Sequence, residues 1–310
     1  MDELCLVTGG AGFIGSHLVE ALTERGRRVR ILDNLSTGLR SNLDHIRPAP
    51  EIIEGDVADE TIARRAMAGV GVAFHLGAVA SVQKSVEDPL ASHRACATGT
   101  VAVLDAARRV GTRRVIIAAS SSAYGIPAGE VQSEDDPLRP LSPYAAAKLA
   151  SEFYAQAFAV SYGLETVCLR FFNIFGPRQR GDSPYSGVIA LFVAAMKAGK
   201  QPTIFGDGLQ TRDFTYVANA VQALQKAAEV PGVSGKCYNV GTGRRVTLLD
   251  LVAALNRLLR TNIAPLHAPA RAGDVRHSCA DIRRARQELG YEPAVAFEEG
   301  LDRLVAADCA

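Results

Sequence analysis

The chain carries no excess of charge: 34 Lys and Arg stand against 33 Asp and Glu, a formal net charge of +1 over 310 residues. With its basic residues dispersed, it shows no electrostatic footprint for nucleic acid or for an anionic membrane surface. No apolar stretch reaches the roughly 18 residues needed to span a bilayer. Met1-Asp2-Glu3 runs into the first apolar segment without the basic region of a secretory signal. The six cysteines, Cys5, Cys96, Cys168, Cys237, Cys279 and Cys309, are scattered and form no C-x-x-C pair, which argues against a zinc or redox centre. They read as reduced thiols of a cytoplasmic protein, and no metal site is expected. Internal repeats, low-complexity tracts and charge blocks are also missing. What remains is a soluble globular chain, 48% hydrophobic, able to bury a large core in one large or two closely joined domains.

Within that frame, Leu4-Cys5-Leu6-Val7 reads as a buried strand that enters Thr8-Gly9-Gly10-Ala11-Gly12 before a helical stretch from Phe13 to Glu24. Strand, glycine turn and helix form a cradle for a pyrophosphate, which sits on free N–H groups at the helix start. The spacing is G-x-x-G-x-x-G through Gly9, Gly12 and Gly15. Asp33 follows the next apolar run, Val29 to Leu32, where a carboxylate accepts hydrogen bonds from an adenosine ribose and repels a 2′-phosphate. NAD is therefore expected over NADP.

Further apolar runs at Ile52-Ile53, Val72 to Leu76, Val115 to Ala119 and Thr166 to Leu169 alternate with helical stretches near 59–67, 90–110 and 144–162. The fold class that follows is α/β, a Rossmann-type doubly wound parallel sheet in residues 1–172. After Phe175-Gly176-Pro177 the pattern loosens, with shorter helices near 188–198, 217–228, 248–259 and 297–307. Residues 173–310 are expected to form a smaller α/β substrate-binding region, parts of which return to the first domain.

Tyr144 and Lys148 are four apart behind Pro143, a residue suited to a helix start, so both project from one face. A free tyrosine keeps its proton to about pH 10 and is a poor base. A neighbouring ammonium and a positive nicotinamide ring favour the phenolate. Ser120-Ser121-Ser122 falls at the end of the fifth strand, where open parallel sheets bind their ligands. A dinucleotide site with a lysine-activated phenol indicates hydride chemistry at a carbinol carbon.

The chain resembles the extended short-chain dehydrogenase/reductase family, and within it the NAD-dependent nucleotide-sugar 4-epimerases. The resemblance runs through Thr8 to Gly15, Asp33 to Gly38, Gly55-Asp56-Val57, His75 to Ala78, Ser120 to Gly125 and Tyr144 to Lys148. It continues through Arg170 to Asn173, Gly206 to Phe214, Tyr238 to Gly241 and Arg271 to Asp274, so that it covers essentially the whole chain. It implies cofactor contacts from Gly9, Gly12, Phe13, Ile14, Gly15, Asp33, Asn34, Ser36, Thr37 and Gly38. Asp56 and Val57 would hold the adenine, Leu76, Gly77 and Ala78 would line the dinucleotide, and Lys148 would also bind the nicotinamide ribose. Asn173, Arg212, Arg271 and Asp274 would hold the nucleoside diphosphate of a UDP-sugar, a pairing that suits guanidinium and carboxylate chemistry. Cys96 stands where many relatives have an asparagine.

Counting back four residues from Tyr124 makes Ser120 the hydroxyl partner of Tyr144 and leaves Ser121 and Ser122 beside the sugar. Related 4,6-dehydratases carry acids at these last two places, decarboxylases a Glu at the second and 3,5-epimerase/reductases a Cys. Serine does none of that proton work unaided. Simple 4-epimerisation remains: Tyr144 takes the 4-hydroxyl proton directly or through Ser120 while the carbon gives a hydride to NAD. Ser278, together with the segment Ser183 to Val188, looks most like epimerases that accept UDP-GlcNAc and UDP-GalNAc, beside or in place of UDP-glucose and UDP-galactose. Arg178, Arg180 and Arg276 leave a UDP-glucuronate 4-epimerase open. A dehydrogenase or reductase that releases NADH and a non-catalytic NAD sensor are the other readings. Spare apolar positions on Pro89 to Val110 and Tyr144 to Tyr162 point to a homodimer through those helices, as the resemblance implies.

Overall fold

The first apolar run becomes strand β1 (Leu4–Thr8), buried along its whole length. In the computed structural model, which describes residues 3–127, 129–181, 186–270 and 275–307, it lies in a sheet of seven strands. The glycine turn leads into α1 (Phe13–Glu24), followed by β2 (Arg28–Asp33), β3 (Glu51–Glu54), α2 (Glu60–Met67) and β4 (Val70–His75). Next come α3 (Val82–Glu87), α4 (Pro89–His93), a π-turn over Arg94–Thr98 and α5 (Gly99–Val110). The sequence pattern predicted one helix near 90–110 here. That helix is present, continuous from α4 through the π-turn to α5, and α3 stands before it as a separate short helix: Ser81 caps α3 through the Lys84 N–H, and Asp88 caps α4 through the Ala91 N–H. Pro89 drives Asp88 out of the helical region, with φ −137° and ψ 85°, and so separates α3 from α4.

Strand β5 (Arg114–Ser120) then gives way to a short 3-10 turn over Ser121–Tyr124, α6 (Pro143–Tyr162), β6 (Glu165–Phe171) and β7 (Ile174–Phe175). The second half contributes α7 (Val188–Lys197), β8 (Thr203–Phe205), β9 (Thr211–Arg212), β10 (Thr215–Tyr216) and α8 (Val217–Glu229). It closes with β11 (Lys236–Val240), β12 (Val246–Thr247), α9 (Leu248–Leu259), β13 (Leu266–Ala268), β14 (His277–Ser278) and α10 (Phe297–Ala307).

The sheet runs β11-β6-β5-β4-β1-β2-β3, all parallel. From β1 the chain moves outward to β3, then crosses back to β4 on the other side of β1. This reversal opens a crevice at the carboxyl ends of β1 and β4, the place where such sheets bind ligands. An apolar core fills each face, one built around α1 and α8 and the other around α2, α5 and α6. Strand β11 returns from the second half to pair with β6, so residues 236–240 belong to the first layer. The second half has its own core around Phe175, Phe214 and Phe297, whose rings lie 5.7 to 6.5 Å apart. Among the described residues no helix is long and apolar enough to cross a membrane.

Candidate active site

Gly9 has φ +69°, and a Cβ there would lie 2.9 Å from the Gly77 nitrogen, so the glycine turn and the end of β4 touch backbone to backbone. A Cβ on Gly15 would run into the Gly9 oxygen, so only glycine lets the start of α1 press onto the turn. Gly12 is the N-cap of α1, and no side chain caps the helix that Phe13 and Ile14 begin. Uncapped N–H groups at a helix start, reached over small residues, suit a pyrophosphate. Asp33 is buried and braces this cradle. Its Oδ2 accepts the Ala11 N–H at 2.9 Å and its Oδ1 the Leu35 N–H at 2.8 Å. The loop behind it folds over the turn: Asn34 accepts the Ser36 N–H, and the Leu39 N–H and the Asn42 amide both donate to the Ala11 oxygen. Ser36, Thr37 and Gly38 therefore lie beside the cradle. These residues fit NAD.

At the far side of the crevice Asp56 accepts the Ala58 N–H, and Arg94 reaches its carboxylate at 3.4 Å. Val57 is buried against Gly77 and Gly99. The Leu76-Gly77-Ala78 segment is held by a buried polar chain that the sequence did not reveal. The Gly77 N–H donates to Thr8 Oγ1, Thr8 Oγ1 lies 2.8 Å from His75 Nδ1, and His75 Nε2 lies 3.0 Å from Thr100 Oγ1. Thr100 and Ser151 both donate to the Cys96 oxygen, within the π-turn. Since Thr100 gives its one proton to the Cys96 oxygen, it accepts from Nε2, which makes Nε2 the protonated nitrogen of a neutral imidazole and leaves Nδ1 to accept from Thr8. Burial, and after it the charge of Lys148, push His75 down to about 3. Cys96 itself is buried with Ala97 and Ala147 against Ala78 and Tyr144, so an apolar contact stands where the resemblance implies an asparagine.

Helix α6 starts at Pro143, with Ser142 as its N-cap through the Ala145 N–H, and it carries Tyr144 and Lys148 one turn apart. Lys148 is buried and donates to the Ala118 oxygen at 2.8 Å, which ties α6 to β5 near the serines. One turn beyond Lys148, Glu152 makes a buried ion pair with Arg170 at 2.8 Å. Arg170 in turn donates to the hydroxyl of Tyr124, which donates to Asn239 at 2.7 Å. The acid at 152, spaced four and eight residues from Lys148 and Tyr144 on one helical face, was the available sequence signal for this anchor. Ser120 ends β5 and caps the 3-10 turn that carries Ser121 and Ser122.

On the opposite side, β14 lies alongside β9 with Ser278 paired to Arg212. Arg212 donates to the Thr211 oxygen at 2.9 Å. Its neighbour Asp213 does not pair with it. Asp213 is fully buried and accepts the N–H groups of Thr242, Gly243 and Ala280 and the Thr242 hydroxyl, while burial pushes its carboxyl upward against those donors. Asn173, at φ +36°, gives its amide to the Asp213 oxygen at 3.3 Å. Asn173, Arg212 and Ser278 thus come together around one strand pair. Val188 opens α7 and packs against the core of the second half. Arg271 and Asp274 lie outside the described residues.

The arginines considered for a uronate are engaged in part. Arg178 donates to Glu20 at 2.6 Å and to Ser16, fastening the Gly176–Arg178 loop to α1, and Arg276 makes a two-pronged pair with Asp207.

Residues 5–241 match the family described as NAD dependent epimerase/dehydratase. Over 304 residues the chain is 39% identical to the UDP-glucose 4-epimerase of Mycolicibacterium smegmatis, spanning 97% of this chain and 96% of that protein. It superposes on the UDP-N-acetylglucosamine 4-epimerase of Methanobrevibacter ruminantium M1 in complex with UDP-N-acetylmuramic acid with a TM-score of 0.95, at 36% identity and 99% and 98% coverage of the two chains. Against the Thermus thermophilus UDP-glucose 4-epimerase in complex with NAD the TM-score is 0.88, at 35% identity and 98% coverage of each chain.

Proposed function

The chain belongs to the NAD dependent epimerase/dehydratase family and takes NAD as cofactor, and we propose that it interconverts the 4-epimers of a UDP-hexose. The observation that carries this reading is the placement of Tyr144 and Lys148 on one face of α6, fastened to β5 beside a serine triplet that holds no acid. Tyr144 receives the proton of the sugar 4-hydroxyl and gives it back, and Ser120 hydrogen-bonds the same oxygen as it becomes a carbonyl. The glycine cradle and Asp33 would hold NAD, which would supply a hydride acceptor regenerated within each turnover, so that no net oxidation results. Without an acid or thiolate at 121 or 122, removal of a second proton from the sugar ring has no base.

Asn173 and Arg212, with Arg271 and Asp274, hold the nucleoside diphosphate and leave the hexose free to turn its other face. The small side chain of Ser278 beside Arg212 supports UDP-GlcNAc and UDP-GalNAc as substrates, with UDP-glucose and UDP-galactose accepted as well. A uronate would need guanidinium groups facing the sugar, and the commitment of Arg178 to Glu20 and of Arg276 to Asp207 favours neutral hexoses. The working unit is a homodimer built on the helical segment from α4 to α5 and on α6.

Purified protein incubated with a panel of UDP-sugars and no added cofactor tests the reading. The expected outcome is an equilibrium mixture of 4-epimers without accumulation of reduced cofactor. Stoichiometric release of NADH would make it a dehydrogenase, and retention of NAD without turnover would make it a binding protein.

A further inference from the structure

The three serines after Ala119 are not equivalent. Ser120 Oγ accepts the N–H of Ser122 at 3.2 Å, and the Oγ of Ser122 lies 2.9 Å from the same atom. A serine hydroxyl has one proton and two lone pairs. One lone pair of Ser120 is therefore occupied by a backbone donor whose direction is fixed. The second contact joins two hydroxyls, and either could donate. If Ser120 gave its proton to Ser122, nothing from Ser120 would face the sugar oxygen as negative charge develops on it. If Ser122 donates, both lone pairs of Ser120 are filled and its proton stays available for the sugar.

The turn that sets this geometry is held from behind. The Tyr124 hydroxyl donates to Asn239 at 2.7 Å and accepts from Arg170 at 2.8 Å, and the Arg139 N–H donates to the Ala123 oxygen at 2.9 Å. Arg170 is itself locked to Glu152, on the same helix as Tyr144. Ser122 is thus fixed against Ser120 by elements that also place the base.

Building on the proposed 4-epimerisation, we infer that Ser122 is a positioning residue: its N–H and hydroxyl saturate Ser120 as an acceptor, so Ser120 acts only as a donor to oxygen 4 of the sugar. A relay through Ser120 requires that atom to accept the sugar's proton while passing its own to Tyr144, and no lone pair is left for it. The proton of oxygen 4 therefore goes straight to the phenolate oxygen of Tyr144, while carbon 4 gives up its hydride to bound NAD and the C–O bond becomes a carbonyl. Ser120 keeps its proton throughout, and its hydrogen bond to oxygen 4 shortens as the carbonyl forms. Reduction from the other face returns the same proton from Tyr144.

The test uses Ser122→Ala and Ser122→Thr in the full chain with its cofactor. Ser122→Ala should lower kcat about tenfold, the order that one hydrogen bond contributes. Its KM, its calorimetric Kd for UDP-sugar, its bound NAD per chain and its Tm should stay near wild type, and Ser122→Thr should restore kcat. Rates in mixtures of light and heavy water should fall linearly in the wild type, as one proton in flight requires. In Ser122→Ala they should curve, because the reopened lone pair admits a two-proton relay. Wild-type kcat and a linear response in Ser122→Ala would overturn the inference, as would equal losses in both variants with a lowered Tm. A wild type inert toward every UDP-sugar would overturn the functional reading and this inference with it, whereas turnover that ignores Ser122 overturns this inference alone.

Discussion

Lys148 donates from its ammonium to the carbonyl oxygen of Ala118 at 2.8 Å, so the helix that carries Tyr144 is stitched to the strand that ends in Ser120. The lysine therefore has, besides its proposed part in the chemistry, a structural task that Tyr144 does not share. An ammonium has three donors, and one of them is spent on the backbone.

Substitutions at the two residues should separate those tasks. Tyr144→Phe is expected to lose roughly two or more orders of magnitude in turnover, the span of general acid–base groups, with Tm and bound NAD unchanged. Lys148→Met should lose turnover and also about 1–3 kcal/mol of stability, because the Ala118 carbonyl keeps its burial without its donor. Urea denaturation of the two variants checks the difference. Near-wild-type epimerisation by Tyr144→Phe would remove Tyr144 from the chemistry.

The proposed basis of cofactor choice is Asp33. Protein denatured after purification should release NAD or NADH and no NADP, because a 2′-phosphate would sit against this carboxylate with no arginine in Asp33-Asn34-Leu35-Ser36 to balance it. Asp33→Asn turns one acceptor into a donor and so breaks one of the bonds to Ala11 or Leu35. Loss of NAD on gel filtration should become about tenfold faster, the scale of one charge-assisted hydrogen bond. Recovery of NADP would sink the reading of Asp33.

His75 gives a pH dependence of known sign. Its folded value is about 3 against an ordinary 6.5, first through burial and then through the charge of Lys148. Between those limits the unfolded chain binds a proton that the folded chain refuses. Stability is therefore complete above about pH 6.5 and is lost as pH falls toward 3, by up to about 1.4 kcal/mol per pH unit. His17, also lowered by burial, adds to the same slope. His75→Gln should be less stable than wild type at pH 7, yet its urea midpoint should shift less between pH 7 and pH 5. Parallel slopes for the two proteins would assign the acid sensitivity to other groups.

The alternation of apolar runs and helical stretches made the sheet legible as far as β6, and the glycine spacing with Asp33 made the crevice legible too. What stayed hidden depends on partners far apart in the chain. Strand β11 is a five-residue run with a lysine and an asparagine in it, and only its pairing with β6 makes it a strand. The chain from Thr8 through His75 and Thr100 to Ser151 joins residues up to 67 positions apart by single hydrogen bonds, and no spacing rule announces them. Arg212 and Asp213 look like a local ion pair in sequence. Adjacent residues on a strand point to opposite sides, so Asp213 turns inward to the Thr242-Gly243 backbone instead.

An apolar surface remains on the outside of α4 and α6, two of the helices named for the dimer, and continues onto the neighbouring α3. Val82 and Val86 on α3, Leu90 on α4 and Phe153 and Tyr154 on α6 are all exposed, Leu90 to 80%. Helix α6 already buries Ala145, Ala147, Ala155 and Phe158 toward the sheet, so Phe153 and Tyr154 are a second face rather than the first. Large apolar patches on a monomer mark contact surfaces. Light scattering at micromolar concentration should give twice the chain mass, and the double variant Leu90→Asp, Phe153→Asp should give the single mass. A monomeric wild type would refute the dimer.

The proposed sugar specificity assigns a role to Ser278. This residue lies beside Arg212 on the β14–β9 pair, and its backbone oxygen accepts the Asp213 N–H at 2.8 Å, so its position is fixed from both sides. If its small side chain leaves room for a 2-N-acetyl group, the enzyme should convert UDP-GlcNAc and UDP-GalNAc as well as, or better than, UDP-glucose and UDP-galactose. Ser278→Tyr would then fill that room, because a close-packed site does not absorb a phenol without displacing something. The variant should lose the acetylated substrates by about two orders of magnitude while keeping some turnover of the plain hexoses, since steric exclusion acts against one substrate and not against the chemistry. Kinetics on both pairs with the same protein preparation decide the matter. Equal loss on both would make Ser278 structural, through the strand pair it completes, and a wild type active only on UDP-glucuronate would place the arginines, not the serine, at the sugar.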